Sequence, residues 1–448
     1  MYKLRSEIQT LLNKVLIKFF VKYKFFNLLS YLFILNLSKI KEILPNKNFK
    51  HKAIVLFRTS GIDDLVQSQK KYNKDILYLA CPRFFFKQIM MCVYKKEDFD
   101  FKDLKYSYEN NKLNVSNKKK YKDFLVAFLQ VLKKKYNFNI LISFSFLYYA
   151  ERELHEACSQ LKIPFLILHK ESIHSEIQKK YFLYTYTKIN EKFKGYKIAV
   201  YSKYAKKLLI DSKIVNNKKI DVVGCSRLSE SFSYKKLEPK NQILYYAIQN
   251  NRGLPTVLMN TFGKKFFKDM KNDISFNSKY NWNKLHFKTL KVLKTFAKNN
   301  PNILINIKVK HGESSKKKEY LNLPDNIKIF HLGAGHTLLK ESKIVIGWNT
   351  TSVLEGIAAN RFILIPYFHK KNKFLKQAEL KLGINKSCYV NLEKNFTNKL
   401  SSLIKKDYKK NQNYHNLNAL KYHLGNSDNK ANLRLNRFLK KNLSWNNK

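Results

Sequence analysis

The sequence predicts an α/β protein of two Rossmann-like, doubly wound domains facing each other across a cleft, preceded by an N-terminal amphipathic helical segment. Three observations predict it. From residue 51 short apolar runs alternate with polar helical stretches, the pattern of parallel strands joined by helical crossovers. A polar, aperiodic stretch, SYKKLEPKNQ at 233–242, interrupts that alternation and reads as a linker. The length of 448 residues suits roughly two to four domains, and 44% hydrophobic residues suffice for large cores.

The first 48 residues come before this pattern. Leu4, Ile8, Leu11, Leu12, Val15, Leu16, Phe19 and Phe20 fall on one helical face, with Arg5, Asn13, Lys14 and Lys18 opposite. The apolar run FFNLLSYLFILNL follows at 25–37. At about 1.5 Å per residue, thirteen residues cannot cross a bilayer core of about 30 Å. A basic helix with an aromatic face can instead lie on an anionic membrane surface, or dock on the protein's own core. Charges interrupt every apolar stretch before residue 25, unlike a signal peptide.

The first strand set is AIVLF at 53–57, ILYLA at 76–80, ILISF at 140–144, PFLIL at 164–168, KIAVY at 197–201 and KIDVVG at 219–224. LVAFLQVLKK at 125–134 and YAKKLLIDS at 204–212 read as helices between them. The second set is ILYYAI at 243–248, ILINIKV at 303–309, IKIFHL at 327–332, KIVIGW at 343–348 and FILIPY at 362–367. Helices are expected at about 284–298, 335–342, 351–360 and 373–382.

The formal charge is +55, from 87 Lys+Arg against 32 Asp+Glu, yet only nine of the basic residues are Arg. Arg is the side chain that forks best onto bases and phosphates, and the lysines are spread along the chain. A nucleic-acid partner is therefore not expected. The charge still favours anionic partners such as a membrane surface or phosphorylated substrates. Five scattered cysteines with no CxxC pair exclude a disulfide framework and a cysteine zinc site, and suit a reducing cytoplasm.

Candidate chemistry concentrates in KIVIGWNTTSVLEGIAANRFILIPYF at 343–368. A strand ends at Gly347, and a helix starts among Asn349, Thr350, Thr351 and Ser352, all cap-type residues. Free N–H groups at a helix start favour a phosphate. Glu355, one turn further on, can accept hydrogen bonds from a vicinal diol such as a ribose. The same cluster also reads as a well-capped helix with an exposed Glu. Lys308, Lys310 and His311 end an earlier strand, where they could stabilise a departing phosphate or be ordinary surface and structural residues. Arg227 lies past another strand end, able to fork onto a phosphate or to pair with Glu230. Glu171 follows PFLIL and His169; it could deprotonate an acceptor hydroxyl, act as nucleophile, or cap the next helix. QNNRGLP at 249–255 offers Gln249 and Arg252 as donor-side contacts, or is simply a turn. The first βα turn carries Arg58, Ser60 and Gly61, and a single Gly is no dinucleotide fingerprint. No HExxH, GxSxG, P-loop or suitably placed DxD pair occurs. Asp63–Asp64, an adjacent acidic pair, falls at a helix start, so no metal ligand is assigned and metal-independent chemistry is expected.

The order of strand, Gly, Asn/Ser/Thr cluster and LEGIAANRFILIPYF resembles the donor-site segment of GT-B-fold glycosyltransferases. Related versions occur in bacterial surface-carbohydrate and capsule-synthesis proteins, CDP-glycerol polymerases and UDP-N-acetylglucosamine 2-epimerases. VKHGES at 309–314 resembles the superfamily's strand ending in a basic residue and His, with Gly312 where Pro is common. VVGCSRLSESF at 222–232 resembles a "VxGxPRxD" segment, with Ser226 for Pro and Ser229 for Asp. ILHKES at 167–172 resembles the "hKE" segment of surface-carbohydrate proteins, some related to Kdo transferases. The resemblance spans about residues 50–400.

It implies a GT-B-like fold with an acceptor domain at 49–235, a nucleotide-donor domain at 236–400 and a helical or partly disordered tail at 401–448. The implied activity is transfer of a sugar from a nucleotide donor to a glycan or lipid-linked acceptor in bacterial surface-polysaccharide synthesis, without a further cofactor. Glu171, His311 and Arg227 would be catalytic. Gly347, Asn349, Thr350, Thr351, Ser352, Glu355, Lys308, Gln249 and Arg252 would bind the donor. The expected location is cytoplasmic, peripheral at the inner face of the plasma membrane. A 2-epimerase and a CDP-glycerol-type polyol-phosphate transferase are the competing enzymes, and a non-catalytic membrane- or polyanion-binding protein is the competing reading of another class.

Overall fold

A computed structural model describes residues 2–43, 49–56, 61–73, 75–82, 84–94, 112–170, 173, 175–189, 192–248, 282–309, 318–331, 335–348, 350–368, 378–384, 388–409 and 415–444. The chain begins with helices α1 (Tyr2–Lys22) and α2 (Phe26–Leu35) and the short strand β1 (Ser38–Lys39). Strand β2 (His51–Leu56) then shows how the first sheet is built. Ile54 and Leu56 enter one core while Ala53 and Val55 enter another, so the strand is apolar on both faces and covered on both.

The first domain continues with α3 (Ile62–Tyr72), β3 (Ile76–Cys81), α4 (Phe84–Val93), α5 (Lys112–Tyr136), β4 (Ile140–Ser143) and α6 (Arg152–Gln160). Then come β5 (Phe165–His169), α7 (Glu176–Ile189), β6 (Lys197–Val200), α8 (Lys203–Asp211), β7 (Ile220–Val222) and the short helix α9 (Leu228–Ser233). The spatial order is β1-β3-β2-β4-β5-β6-β7, parallel except for β1, which pairs antiparallel with β3.

The second domain holds β8 (Lys240–Tyr246), α10 (Trp282–Asn299), β9 (Leu304–Lys308), β10 (Ile327–Phe330), α11 (Gly335–Glu341) and β11 (Ser342–Ile346). It continues with α12 (Thr351–Ala358), β12 (Phe362–Pro366), β13 (Tyr389–Val390) and α13 (Glu393–Lys405). Its sheet is parallel throughout, in the order β10-β9-β8-β11-β12-β13. The protein is thus a pair of Rossmann-like domains, as the alternation of strands and helices implies.

All the expected strands are present, with ends displaced by three residues or fewer. The expected linker is shorter than its polarity suggests. A helical turn occupies Tyr234–Lys236, and β8 begins at Lys240, which pairs with Ser342. Of the helix expected at 373–382, residues 373–377 lie outside the described residues, and 379–382 are not helical, so the expectation fails over that stretch.

Beyond α13 the chain returns to the first domain. A helical turn (Leu420–Leu424) leads to α14 (Ala431–Lys441), which packs on α3. Leu435, Phe438 and Leu439 complete the core on the Ala53/Val55 face of the first sheet. Gly425 makes the crossing feasible. It adopts φ +59°, and a Cβ there would lie 1.7 Å from the Tyr201 carbonyl oxygen, so no other residue fits. Arg434 fastens the return by donating to the Val223 and Gly425 carbonyls, each at 3.0 Å.

Candidate functional site

Strand β8 lies between β9 and β11, so the second sheet changes winding direction at β8/β11. In an open α/β sheet the ligand crevice lies beyond the carboxyl ends at such a point. Gly347 follows β11 there, and the chain must bend sharply into α12. A Cβ on Gly347 would stand 3.1 Å from Val353 Cγ2, tighter than ordinary packing. Trp348 anchors the turn from inside, its Nε1 donating to the Pro366 carbonyl at 2.7 Å and its ring edge-on to Trp282.

Thr350 is the N-cap of α12, its hydroxyl accepting from the Ser352 N–H at 3.4 Å. The Val353 N–H donates to the Thr350 carbonyl at 3.1 Å. The cap therefore consumes two amides of the first turn, which leaves an anion fewer donors than the sequence implies. Thr351 and Ser352 remain half-exposed at this end.

Glu355 is not the exposed carboxylate of the simpler reading. It is buried, and its Oε1 lies 3.6 Å from Arg227 Nε, with side chains 9% and 16% exposed respectively. Arg227 precedes α9, which packs on α12, so the pair joins the end of the first domain to helix α12 of the second. Arg227 thus faces Glu355; Glu230 instead accepts from Gln67 at 2.7 Å and from the Tyr234 hydroxyl at 2.6 Å.

At 3.6 Å the Arg227–Glu355 contact is an ion pair too long for a hydrogen bond. Among the described residues, Arg227 Nε and the hydroxyls of Ser226 and Ser229 find no hydrogen-bond partner. These are polar groups at a domain junction with capacity to spare. Asp64 holds Arg227 from the other side. Its Oδ1 accepts the Arg227 N–H at 3.0 Å, and its other oxygen accepts the Tyr201 hydroxyl. Burial works to lower the Arg227 pKa, but Tyr201, Cys225, Asp64 and Glu355 around it outweigh that and raise it, so the guanidinium stays charged.

Asp63 was not singled out by the sequence beyond its place in an acidic pair. It sits in the first turn of α3, keeps access to solvent, and shares an electrostatic neighbourhood with Arg227, with Lys170 after β5, and with His336 of the second domain. Partial burial raises its pKa and Asp64 adds to that, while Arg227, His336 and Lys170 oppose it. A solvent-reachable carboxylate of raised pKa between two domains is suited to taking up a proton. The sequence signal that could have found it is its position just after the first strand, at the edge facing the cleft.

Lys308 is placed differently from the expected donor contact. Its ammonium donates to the Val309, Phe330 and His331 carbonyls at 3.3, 3.4 and 3.3 Å, and burial lowers its pKa. Carbonyls at the ends of β9 and β10 claim the charge. Glu171, His311, Asn349, Gln249 and Arg252 lie outside the described residues. The structure brings together Arg227, Glu355, Gly347, Thr350, Thr351 and Ser352, and adds Asp63 and Asp64 to them.

No protein-family model matches the chain, and comparison with curated proteins found no match. Among solved structures, a UDP-GlcNAc 2-epimerase from Neisseria meningitidis bound to UDP-GlcNAc is similar at 12% identity, covering 87% of this chain and 99% of that one, with a TM-score of 0.44. A UDP-GlcNAc 2-epimerase from Methanocaldococcus jannaschii, in complex with UDP-GlcNAc and UDP, is similar at 12% identity over 88% of this chain and 100% of its own, TM-score 0.42. An α,α-trehalose 6-phosphate synthase from Burkholderia multivorans is similar at 8% identity over 88% and 96%, TM-score 0.42. At this level of similarity none of them carries weight for the function.

Proposed function

We propose that the protein is a nucleotide-sugar-dependent glycosyltransferase, acting without a metal on a glycan or lipid-linked acceptor in bacterial surface-polysaccharide synthesis. The observation that supports it most is the Arg227–Glu355 pair at the second sheet's switch point, in which the guanidinium Nε faces the carboxylate without making a hydrogen bond. A carboxylate there suits the ribose diol and a guanidinium suits the diphosphate. Donor binding would exchange the ion pair for these two contacts, with Thr351 and Ser352 flanking the phosphates. Arg227 would then neutralise the leaving phosphate as the bond to the sugar breaks. Asp63 is the candidate base for the acceptor hydroxyl. Glu171 and His311 join the catalytic set, and Asn349, Gln249 and Arg252 the donor set, on sequence grounds.

The test is a thermal-shift panel of CMP, CDP, UDP and GDP on the full chain. Binding to the folded state alone at about 100 times Kd stabilises by about 2.7 kcal/mol. One nucleotide is expected to raise the melting temperature of the parent protein selectively. The shift should be smaller in Glu355→Gln, each protein judged against its own ligand-free baseline. Equal shifts in both would sink the ribose assignment, and no shift with any nucleotide would sink the whole reading. A 2-epimerase is the second reading, since the same site would serve it; product formed from the nucleotide sugar without any acceptor would decide for it.

A further inference from the structure

The N-terminal helices dock by one face only. Ile17 and Val21 of α1, with Leu29, Leu32 and Phe33 of α2, are buried in the first domain's core. The Asn13 amide donates to Asn36 Oδ1 at 2.8 Å and ties α1 to the end of α2. The outward face is apolar as well. Of the 17 large hydrophobic side chains exposed among the described residues, ten lie between residues 11 and 35. Leu12, Val15, Phe19, Tyr23, Leu28 and Leu35 are between 48% and 81% exposed. Phe19 and Tyr23 touch with ring centroids 4.9 Å apart, and Phe25 stacks on Tyr23 at 5.8 Å, a cluster of rings facing water. A contiguous patch of this kind marks a surface meant to be covered.

Charge decides what covers it. Residues 10–41 contain six lysines and no Asp or Glu. Lys14, Lys18, Lys22 and Lys24 are exposed around the patch, and Lys135 of α5 reaches over the Tyr31 ring at 4.1 Å. A second copy would bring the same lysines face to face, which is unfavourable. An anionic phospholipid surface satisfies both features. Aliphatic side chains enter the boundary of the acyl region, aromatic rings rest at headgroup depth, and lysines meet the phosphates. No helix among the described residues is long and apolar enough to cross a membrane, so the contact would lie in the plane of the surface.

We propose that this outward face of α1 and α2 seats the protein on an anionic phospholipid membrane. The proposal goes beyond the nucleotide-sugar reading and does not depend on it. The test is flotation of the full chain with vesicles of phosphatidylcholine alone, or with about a quarter phosphatidylglycerol, at low salt. The parent is expected to float with the anionic vesicles and to bind neutral ones roughly tenfold more weakly. Val15→Glu with Phe19→Glu, both on the exposed face, should lower anionic partitioning roughly tenfold or more, with the melting temperature unchanged. A parent that binds neither vesicle, or a variant that floats like the parent, overturns the proposal. So does a dimer by light scattering that falls to monomer in the variant without any flotation, which assigns the face to a second copy. Loss of the nucleotide-induced shift would leave flotation intact, so the two readings fail separately.

Discussion

Arg227 is one of nine arginines among 87 basic residues, and it is held against a carboxylate of the opposite domain. Scarcity is what made it visible in a lysine-rich chain. Its partner was not visible, because Glu230 lies three residues away and Glu355 lies 128 residues away, and only folding ranks the two. A largely buried pair couples its members, because removing one leaves the other charge uncompensated. Arg227→Met is therefore expected to cost about 3 kcal/mol. The double variant Arg227→Met/Glu355→Gln should cost less than the sum of the two single changes. Urea denaturation of the four proteins measures this, and strict additivity would show that the contact contributes no coupling.

At the scale of elements, α14 is the instructive case. Its apolar positions are ordinary, and nothing local says which surface receives them. In the fold they cover the face of the first sheet formed by Ala53, Val55, Ile140 and Ile142, next to Leu65 of α3. The last described helix is thus a structural layer of the first domain. Leu439 is fully buried there, and Leu439→Ala is expected to destabilise the protein by roughly 2–5 kcal/mol. A loss below about 1 kcal/mol in chemical denaturation would show that the helix is peripheral to that core. Helix α12 is the opposite case. Its cap residues, its glycine turn and its following strand are contiguous in sequence, and its start was readable to within a residue.

At the scale of the whole molecule, three buried histidines set a pH response. Burial holds His155 down to about 3, and His415 and His423 down to about 4, from an ordinary value of 6.5. The unfolded chain therefore takes up protons near pH 6.5 that the folded protein refuses until about 4. Stability from this source is fully present above pH 6.5 and is lost as the pH falls toward 4. Each histidine contributes a slope of up to about 1.4 kcal/mol per pH unit. Asp63 and Glu153, whose carboxyls burial raises, act in the opposite sense, so a single-site comparison isolates the effect. The His155 ring packs against Phe165 and Phe193, and His155→Phe keeps a ring in that place. Its stability should fall less steeply than the parent's between pH 6.5 and 4.5. Identical slopes in thermal melts would contradict the assignment.

The fold was readable because strands declare themselves over five to seven residues and helices over one or two turns. Periodicity and cap chemistry are local, so the sequence by itself determined the strands, the start of α12 and the division into two parallel α/β sets. The places of Gly347, Thr350, Thr351 and Ser352 at a strand end and a helix start were legible for the same reason. The pairing of Arg227 with Glu355, the use of Lys308 on strand-end carbonyls, the placing of Asp63 beside Arg227 and His336, and the return of α14 were not. Each depends on which distant segments become neighbours. That choice is made by chain closure and by the burial of whole faces, and local pattern does not encode it.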